Sequence, residues 1–256
     1  MGELRRIPFE EEAEDIKEKV TGYWSKRADS FLVQRQHELS SPKAAKWRGE
    51  IVGQLKKYSI PQEAKILDIG CGTGYFPVLL GREEYAVTGI DLTEEMVRGA
   101  EELVRENGPY AKPVRILQMD AEHLAFPDAA FDVIVTRNLT WTLPHPMDAY
   151  REWFRVLKKG GVLLNFDAEY AKGAHNLMST ENLAHKDLSD AMKKECHEIY
   201  HMLTISALDR PAWDEEILKN IGFATIECDR GFADRIFSEK DEFYIPDRMF
   251  MITAVK

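Results

Sequence analysis

Cysteine and long apolar runs are scarce in this sequence, and their scarcity excludes several classes of protein. The 256 residues contain 3 cysteines, Cys71, Cys196 and Cys228, an odd number at wide spacing that fits neither a disulfide framework nor a paired-cysteine zinc site. No uninterrupted apolar stretch approaches the ~20 residues of a membrane-spanning helix. The first residues run into acidic ones without the apolar region of a secretory signal. We therefore expect a cytoplasmic protein without a membrane partner.

Basic residues are also in short supply. The 34 Lys+Arg against 44 Asp+Glu give a formal net charge of −10 at pH 7, whereas proteins that neutralise phosphates carry clustered Lys and Arg. Nucleic acid is therefore not an expected partner. With 44% hydrophobic and 30% charged residues, the composition is that of a globular protein.

Short apolar runs alternate with helical patterns through the middle of the chain. Thr93 is placed to cap one helix that ends at Asn107-Gly108, and Pro146 is placed to open another that Lys158-Lys159-Gly160 closes. Strands and helices in alternation predict an α/β fold with a parallel sheet and helices on both faces. The predicted strands of this alternation span residues 65–69, 85–90, 113–119, 131–136 and 161–166.

Additional helices are predicted before and after this core in the sequence. We expect a single domain, in which residues 1–58 form an N-terminal helical cap with Ser41-Pro42 as an internal helix start. Residues 60–168 form the core, and residues 170–210 a polar helical insertion. Residues 211–256 supply a last helix, ended by Gly222, and two further strands at 223–228 and 249–255.

A glycine-rich turn follows the first predicted strand, in the segment Ile66-Leu-Asp-Ile-Gly-Cys-Gly-Thr-Gly-Tyr-Phe76. Glycines there allow the backbone to approach a ligand at the carboxyl edge of an open α/β sheet. Asp91 ends the next strand, where an acidic side chain can accept hydrogen bonds from both ribose hydroxyls. The dinucleotide fingerprint would need Gly or Ala at position 75, where this chain has Tyr75. The spacing therefore argues against a dinucleotide cofactor.

At this point the sequence resembles the class I S-adenosylmethionine-dependent methyltransferases, specifically the small-molecule branch related to the ubiquinone and menaquinone enzymes. Residues 60–168 carry the resemblance in five pieces, in the family's order and at its spacing. They are Asp68-Ile-Gly-Cys-Gly-Thr-Gly74, Gly89-Ile-Asp-Leu92, Met119-Asp-Ala-Glu122, Phe131-Asp-Val-Ile-Val-Thr136 and Arg155-Val-Leu-Lys-Lys-Gly-Gly161. The resemblance implies a Rossmann-like, doubly wound, seven-stranded sheet, mostly parallel with an antiparallel last strand, and S-adenosyl-L-methionine as cofactor.

The same resemblance implies a set of cofactor contacts. The glycine turn would hold the amino-acid end, Asp91 the ribose, Leu92 and Met96 the adenine face, and Asp120 with its neighbours the adenine edge. Met96 and the N-terminal Tyr23 are equally compatible with ordinary core packing, because an amphipathic helix buries its aromatic residues in any case. The implied contacts are Tyr23, Asp68, Gly70, Cys71, Gly72, Gly74, Asp91, Leu92, Met96, Asp120, Ala121, Glu122 and Asn138.

Methyl transfer from a sulfonium is an in-line displacement that needs no metal and no covalent intermediate. A general base is needed only where the acceptor must first lose a proton, and His145, Asp167, Glu169 and Tyr170 are candidates among which the sequence does not choose. Sequence signatures of enzymes that methylate bases, protein glutamine, protein arginine or catechols are missing after the fourth strand, where the chain reads Arg137-Asn-Leu-Thr-Trp-Thr-Leu143. A small-molecule acceptor is expected, with the protein acting as a monomer or homodimer. A non-catalytic cofactor-binding sensor is the alternative.

A rival motif lies in the insertion. His197-Glu-Ile-Tyr-His201 matches the H-E-x-x-H pattern, which places two imidazoles on one helix face as in zinc peptidases. The extension that supplies a third zinc ligand in such enzymes does not follow the motif. Three interpretations are therefore open: solvated or core histidines, a role in the substrate pocket, and zinc hydrolysis.

The insertion itself leaves the sheet at the carboxyl end of the fifth strand, where parallel sheets bind ligands. Either it is a lid over the acceptor or it only covers the sheet edge. For the lid, we expect its cavity surface to come from adaptable methionines and uncharged histidines. These are Met178, Met192, Met202, His175, His185, His197 and His201.

Overall fold

The computed structural model describes residues 10–256, apart from the side chains of residues 10–13 and 174–175. The N-terminal residues considered for a secretory signal, and the side chain of His175, therefore lie outside the described part. Among the described residues, no helix has the length and apolar character needed to cross a bilayer. The cytoplasmic location and the oligomeric state stay predictions.

Seven strands form one sheet, in the order β3-β2-β1-β4-β5-β7-β6. β7 is antiparallel to both of its neighbours, and the other pairs are parallel. The predicted doubly wound sheet with an antiparallel last strand is confirmed. The strands are β1 (Lys65–Ile69), β2 (Ala86–Asp91), β3 (Val114–Gln118), β4 (Phe131–Arg137), β5 (Leu157–Asp167), β6 (Thr225–Asp229) and β7 (Phe250–Val255).

Nine α-helices surround the sheet in the described chain. They are α1 (Glu10–Ser40), α2 (Pro42–Lys57), α3 (Tyr75–Arg82), α4 (Glu94–Asn107), α5 (Pro146–Val156), α6 (Ala174–Leu177), α7 (Asp190–Met202), α8 (Ala212–Ile221) and α9 (Phe232–Ile236). Short 3-10 turns cover Thr140–Thr142, Leu183–His185 and Thr204–Ala207.

Helix boundaries follow local chemistry in most places. The Ser41 hydroxyl accepts from the Lys43 amide at 3.1 Å, with Pro42 in the first turn of α2 as predicted. Gly222 ends α8 in a left-handed conformation at φ +119°, which glycine adopts without steric cost. Thr93 precedes α4, but its side chain makes no capping bond.

The end of α5 differs from the prediction. The helix stops at Val156, and Lys158-Lys159-Gly160 belongs to β5 instead. Leu157 is fully buried and pairs with Phe131 of β4, and the Gly160 amide donates to the Lys256 carbonyl at 2.7 Å. Pairing with two neighbouring strands thus overrides a local helix-ending signal.

The core lies on both faces of the sheet. On one face, the rings of Trp47, Phe76, Phe166 and Phe232 pack at centroid separations of 5.0–5.9 Å. On the other face, Tyr150 and Trp153 pack edge to face at 5.1 Å, with both side chains fully buried. Phe232 belongs to α9, a short helix that the sequence reading did not anticipate. This double-sided core fixes the sheet and leaves the carboxyl ends of its strands free for a site.

Candidate functional site

A cavity lies at the carboxyl edge of the sheet, where β1 and β4 are neighbours. The chain winds from β1 to β2 and β3 in one direction and from β4 to β5 in the other, so this is the topological switch point where open α/β sheets bind ligands. The walls bound about 1730 Å³ of space that protein atoms leave free, part of it open to solvent. Besides the strand ends, α1, the insertion and residues 237–247 line it.

The glycine turn forms one wall. Gly70 and Gly72 line the cavity with φ +68° and +53°, values that L side chains rarely adopt. A Cβ on Gly72 would lie 3.2 Å from the Phe31 ring of α1. Cys71, between the two glycines, is buried and also lines the cavity. Gly74 does not line it. A Cβ on Gly74 would lie 3.1 Å from Ala100 of α4, so glycine allows the turn to pack closely on that helix.

Asp91 lines the cavity and also braces the turn. One carboxylate oxygen accepts from the Gly72 amide at 2.9 Å and the other from the Thr93 amide at 3.0 Å. Each oxygen keeps a further lone pair for a ligand hydroxyl. Burial raises the pKa of Asp91, and the two amides oppose that rise. Burial also raises the pKa of Asp68 well above its usual range, with Asp91 adding to it.

The segment after β3 divides into residues that face the cavity and one that does not. Asp120 and Ala121 line it, whereas Glu122 is buried behind the wall, with its carboxylate accepting from the His145 amide at 2.6 Å. Lys17 of α1 lies 2.7 Å from Asp120 and 2.6 Å from Glu122. Burial acts to raise the pKa of Asp120, but hydrogen bonds, led by that from Lys17, lower it on balance.

Apolar side chains from two parts of the chain line the cavity. Leu92 and Met96 line it from the region after β2, and Tyr23 lines it from α1, where its ring contacts Trp24 at 5.2 Å. Tyr23 is 3% exposed. The helix α1 therefore lies over the cavity, with the side chain implied by the family resemblance pointing into it.

Asn138 and Tyr170 join the ends of β4 and β5. Asn138 adopts a left-handed conformation at φ +58°, which asparagine tolerates better than most residues. The Tyr170 hydroxyl donates to the Asn138 side-chain oxygen at 2.7 Å, and both residues line the cavity.

Of the four side chains considered as bases, only Tyr170 lines the cavity. Asp167 accepts from Arg210 at 3.0 Å and from the Trp141 amide at 3.1 Å. Glu169 accepts from the Arg210 amide at 2.7 Å, and His145 lies 3.4 Å from Glu122. These three groups serve buried or peripheral contacts in this structure.

The insertion reaches the cavity, but among the expected side chains that the structure describes only His185 lines it. Met178 is 56% exposed, and Met192, Met202, His197 and His201 do not line the cavity. His185 does, and burial lowers the pKa of its imidazole to about 3, so the ring is uncharged at neutral pH. The wall residues contributed by the insertion are Tyr170, Gly173, Leu177, Asn182, Ala184, His185, Cys196 and Tyr200.

The H-E-x-x-H segment lies on α7 with its histidines outside the cavity. The two imidazoles share one helix face as predicted, with 3.4 Å between their Nε2 atoms. Glu198 lies 3.8 Å from Lys194. Within the described chain, three potential metal ligands come together only at Asp120, Glu122 and His123. Lys17 already lies against both of those carboxylates.

Sequence reasoning missed two parts of the site. The segment 237–247 contributes Phe237, Phe243 and Ile245 to the wall, and its only sequence signal is an aromatic-rich loop between predicted elements. Arg35 and Arg137 line the cavity beside a buried Glu38. A charged residue within an amphipathic helix is usually solvated, so only the tertiary structure distinguishes Arg35.

Comparisons with known proteins agree with this geometry. The methyltransferase domain family matches residues 67–165. The demethylmenaquinone methyltransferase of Listeria welshimeri is 30% identical over 161 residues, 62% of this chain and 63% of that protein. The Geobacillus stearothermophilus enzyme of the same name is 25% identical over 225 residues, 85% of this chain and 91% of that protein. This chain thus spans slightly less than two thirds of the Listeria relative.

A solved structure shares the fold. Phosphoethanolamine N-methyltransferase 2 of Haemonchus contortus, in complex with S-adenosyl-L-methionine, superposes with a TM-score of 0.56 at 19% identity. The match covers 87% of this chain and 60% of that one. Together, the sheet order and the family match over residues 67–165 support a class I S-adenosylmethionine-dependent methyltransferase with S-adenosyl-L-methionine as its cofactor.

Proposed function

We propose that this enzyme methylates a small molecule held inside the cavity. The observation that carries the proposal is the covering of the sheet edge by α1, the insertion and residues 237–247, which all line one cavity. The side formed by the glycine turn and the ends of β2 and β3 offers a place for the cofactor, and the side lined by the insertion and residues 237–247 offers a place for a small acceptor.

We assign the cofactor to the side of the cavity formed by β1, β2 and β3. Gly70, Cys71 and Gly72 bring backbone close to its amino-acid end, with Asp68 beside them. Asp91 offers lone pairs to the ribose hydroxyls. Leu92, Met96 and Ala121 enclose the adenine, Asp120 reads its edge, and Tyr23 covers it from α1. Gly74 and Glu122 support this wall from behind.

The acceptor side is lined by aromatic rings. Trp141 packs against Tyr170 at 5.5 Å and against Tyr200 at 4.8 Å, both edge to face. When bound, the cofactor supplies an electrophilic methyl group on a sulfonium. The role of the protein is then to exclude water and to hold the nucleophile in line with that methyl group. Such positioning can lower the activation free energy by ~7–11 kcal/mol.

A metabolite screen for S-adenosylhomocysteine release tests the proposal. We expect turnover with at least one low-molecular-weight pool, and turnover only with macromolecular fractions would contradict it. Once an acceptor is found, Tyr200→Ala should lower its kcat/KM by about 10-fold or more because an aromatic wall is lost. S-adenosylmethionine affinity should stay within about twofold. His197→Ala, on the same helix but outside the cavity, is the matched control and should change neither value.

A further inference from the structure

A short turn of the insertion places two polar side chains in the cavity wall. Asn182 and His185 both line the cavity, Asn182 immediately before the 3-10 turn Leu183–His185 and His185 at its end. The His185 amide donates to the Asn182 carbonyl at 3.3 Å. Residues three apart in a 3-10 turn lie on the same side of it. The two side chains therefore share one side of the turn.

Asn182 has an unused hydrogen-bond acceptor. An asparagine that precedes a helical turn usually accepts from one of the first amides, but this side chain makes no such bond. Its amide nitrogen donates to the Asn176 carbonyl at 3.3 Å, which fixes the orientation of the amide, because its oxygen in that place would face another oxygen. The side-chain oxygen is buried without a partner among the described residues, and Asn182 is 2% exposed. That oxygen needs a donor.

His185 also has an unused polar atom. Its Nδ1 is buried and has no partner in the described part of the chain. Burial, together with Arg27, Arg35 and Lys193, lowers the pKa of the imidazole to about 3. A neutral imidazole carries its proton on one of the two ring nitrogens, so Nδ1 can act as a donor without a charge on the ring.

The turn is held in place from two sides. Gln34 of α1 donates to the Ala184 carbonyl at 2.9 Å, and the Ala184 amide donates to the Tyr244 carbonyl in the segment 237–247 at 3.1 Å. Polar groups on a fixed element adjust less to a poorly matched ligand than groups on a free loop. The two unpaired atoms are therefore placed to discriminate between ligands.

We propose that Asn182 and His185 select a methyl acceptor that presents an uncharged hydroxyl group to this turn. The hydroxyl hydrogen is donated to Asn182 Oδ1, and the hydroxyl oxygen accepts from His185 Nδ1. An anion would bring only lone pairs against the Asn182 oxygen, and an ammonium group would add a cation where Arg27, Arg35 and Lys193 already act on His185. A hydroxyl group satisfies both atoms. The assignment rests on the proposed function, since it takes the ligand to be the acceptor.

Three probes that differ in one group test the proposal: para-fluorobenzyl alcohol, para-fluorotoluene and para-fluorobenzylammonium. Fluorine NMR titration of protein saturated with S-adenosylhomocysteine measures the dissociation constant of each. A site that hydrogen-bonds a hydroxyl discriminates against an analogue without it, because its own buried atoms are then left unpaired. The wild type should bind the alcohol about threefold or more tightly than the toluene and about tenfold or more tightly than the ammonium. Binding of either analogue as tightly as the alcohol would show that the proposal is wrong.

Two variants connect this selectivity to the turn. Asn182→Leu keeps the size of the side chain and removes its oxygen, so it should weaken the alcohol by about fivefold or more and leave the toluene within about twofold. His185→Phe removes the Nδ1 donor and carries the same expectation, which covers the case in which Asn182→Leu does not fold. His197→Phe, at a histidine of the insertion that lies outside the cavity, is the matched control and should keep the wild-type ratio.

An unchanged ratio of alcohol to toluene affinity in both Asn182→Leu and His185→Phe would assign the turn a structural role and overturn the proposal. Calorimetric titration with S-adenosylmethionine should give an affinity within about twofold of wild type in both variants. A loss of about tenfold or more, with an unchanged probe ratio, would assign the turn to the cofactor and equally overturn it. Probe binding needs no turnover. A metabolite screen without turnover therefore refutes the proposed function alone, while the probe ratios decide whether the turn selects a hydroxyl group.

Discussion

Asp91 combines a structural role with a proposed ligand contact, because its two oxygens hold the amides of Gly72 and Thr93 while facing the cavity. We predict that Asp91→Ala weakens S-adenosylmethionine binding by ~1.5–3 kcal/mol, the range for a lost hydrogen bond to a charged group. That corresponds to roughly 10- to 150-fold in the dissociation constant, measured by calorimetric titration.

The control for this prediction is Asp148→Ala, which removes an exposed carboxylate on α5. It should leave the affinity unchanged. Because Asp91 also braces the turn, the melting temperature of each variant should be recorded beside its affinity. Unchanged affinity in Asp91→Ala would contradict the ribose assignment.

His185 is a buried imidazole whose folded pKa of about 3 lies below its ordinary value of 6.5. Burial is the main cause, and Arg27 and Arg35 add to it. Below pH 6.5 His185 therefore binds a proton in the unfolded chain but stays neutral in the folded chain. The free energy of unfolding consequently falls as the pH drops from 6.5 towards 3. Between pH 7 and pH 5 this group accounts for about 2 kcal/mol of lost stability.

We therefore predict that His185→Gln flattens the acid side of the stability curve by about 2 kcal/mol between those pH values. Urea unfolding at pH 7 and pH 5 measures the difference. His37→Gln replaces an exposed histidine of α1 and should leave the slope of the wild type unchanged. An equal loss of stability in His185→Gln and wild type would show that His185 is protonated when folded.

At the scale of elements, Arg210 anchors the end of the insertion to the sheet and to α8. Its guanidinium lies 3.0 Å from Asp167 at the end of β5 and 2.8 Å from Asp214 of α8, and all three side chains are nearly or fully buried. Tyr150 of α5 adds a hydrogen bond to Asp214 at 2.6 Å. A single cation therefore holds three elements together where the acceptor wall begins.

We predict that Arg210→Met lowers the free energy of unfolding by about 3–5 kcal/mol, because it leaves buried carboxylates without a cation. Burial already raises the pKa of Asp167, and Arg210 opposes that rise. In the variant the folded chain should bind a proton more readily than the unfolded chain, so the deficit should shrink as the pH falls. Urea unfolding at pH 8 and pH 5 measures both effects.

The matched control is Arg230→Met, which breaks an exposed pair with Glu215. Exposed pairs contribute about 0–1 kcal/mol, so its cost should stay in that range at both pH values. A similarly small cost for Arg210→Met would show that the insertion does not depend on this cluster.

At the scale of the whole molecule, Lys17 forms ion pairs with both Asp120 and Glu122. It links α1 to the segment after β3 and lies against two of the three grouped potential metal ligands, Asp120 and Glu122. We predict that EDTA leaves the melting temperature and the affinity for S-adenosylmethionine unchanged. Stoichiometric zinc in elemental analysis, with unfolding on chelation, would count decisively against this prediction.

The sequence determined the sheet and the position of its ligand edge. Strands such as β1 are buried on both faces. Their sequences are therefore continuous apolar runs, which can be recognised as strands without knowledge of the tertiary structure. The glycine turn also follows from local chemistry, since glycine adopts the left-handed backbone more readily than other residues. Asp91 follows from its place as the last residue of β2. The strands, the glycine turn and the position of Asp91 depend on contacts close in sequence or on the regular pairing of neighbouring strands.

The tertiary structure decided the walls of the cavity. Whether His185 or His197 faces inward depends on how the insertion packs against α1, through contacts such as Gln34 with the Ala184 carbonyl at 2.9 Å. The same holds for Arg35, which lines the cavity where Arg137, distant in the chain, binds the neighbouring Glu38. A polar residue on an amphipathic helix has no local signal that separates solvent from cavity. The position of Arg35 was decided only by the packing that removed it from water beside Glu38.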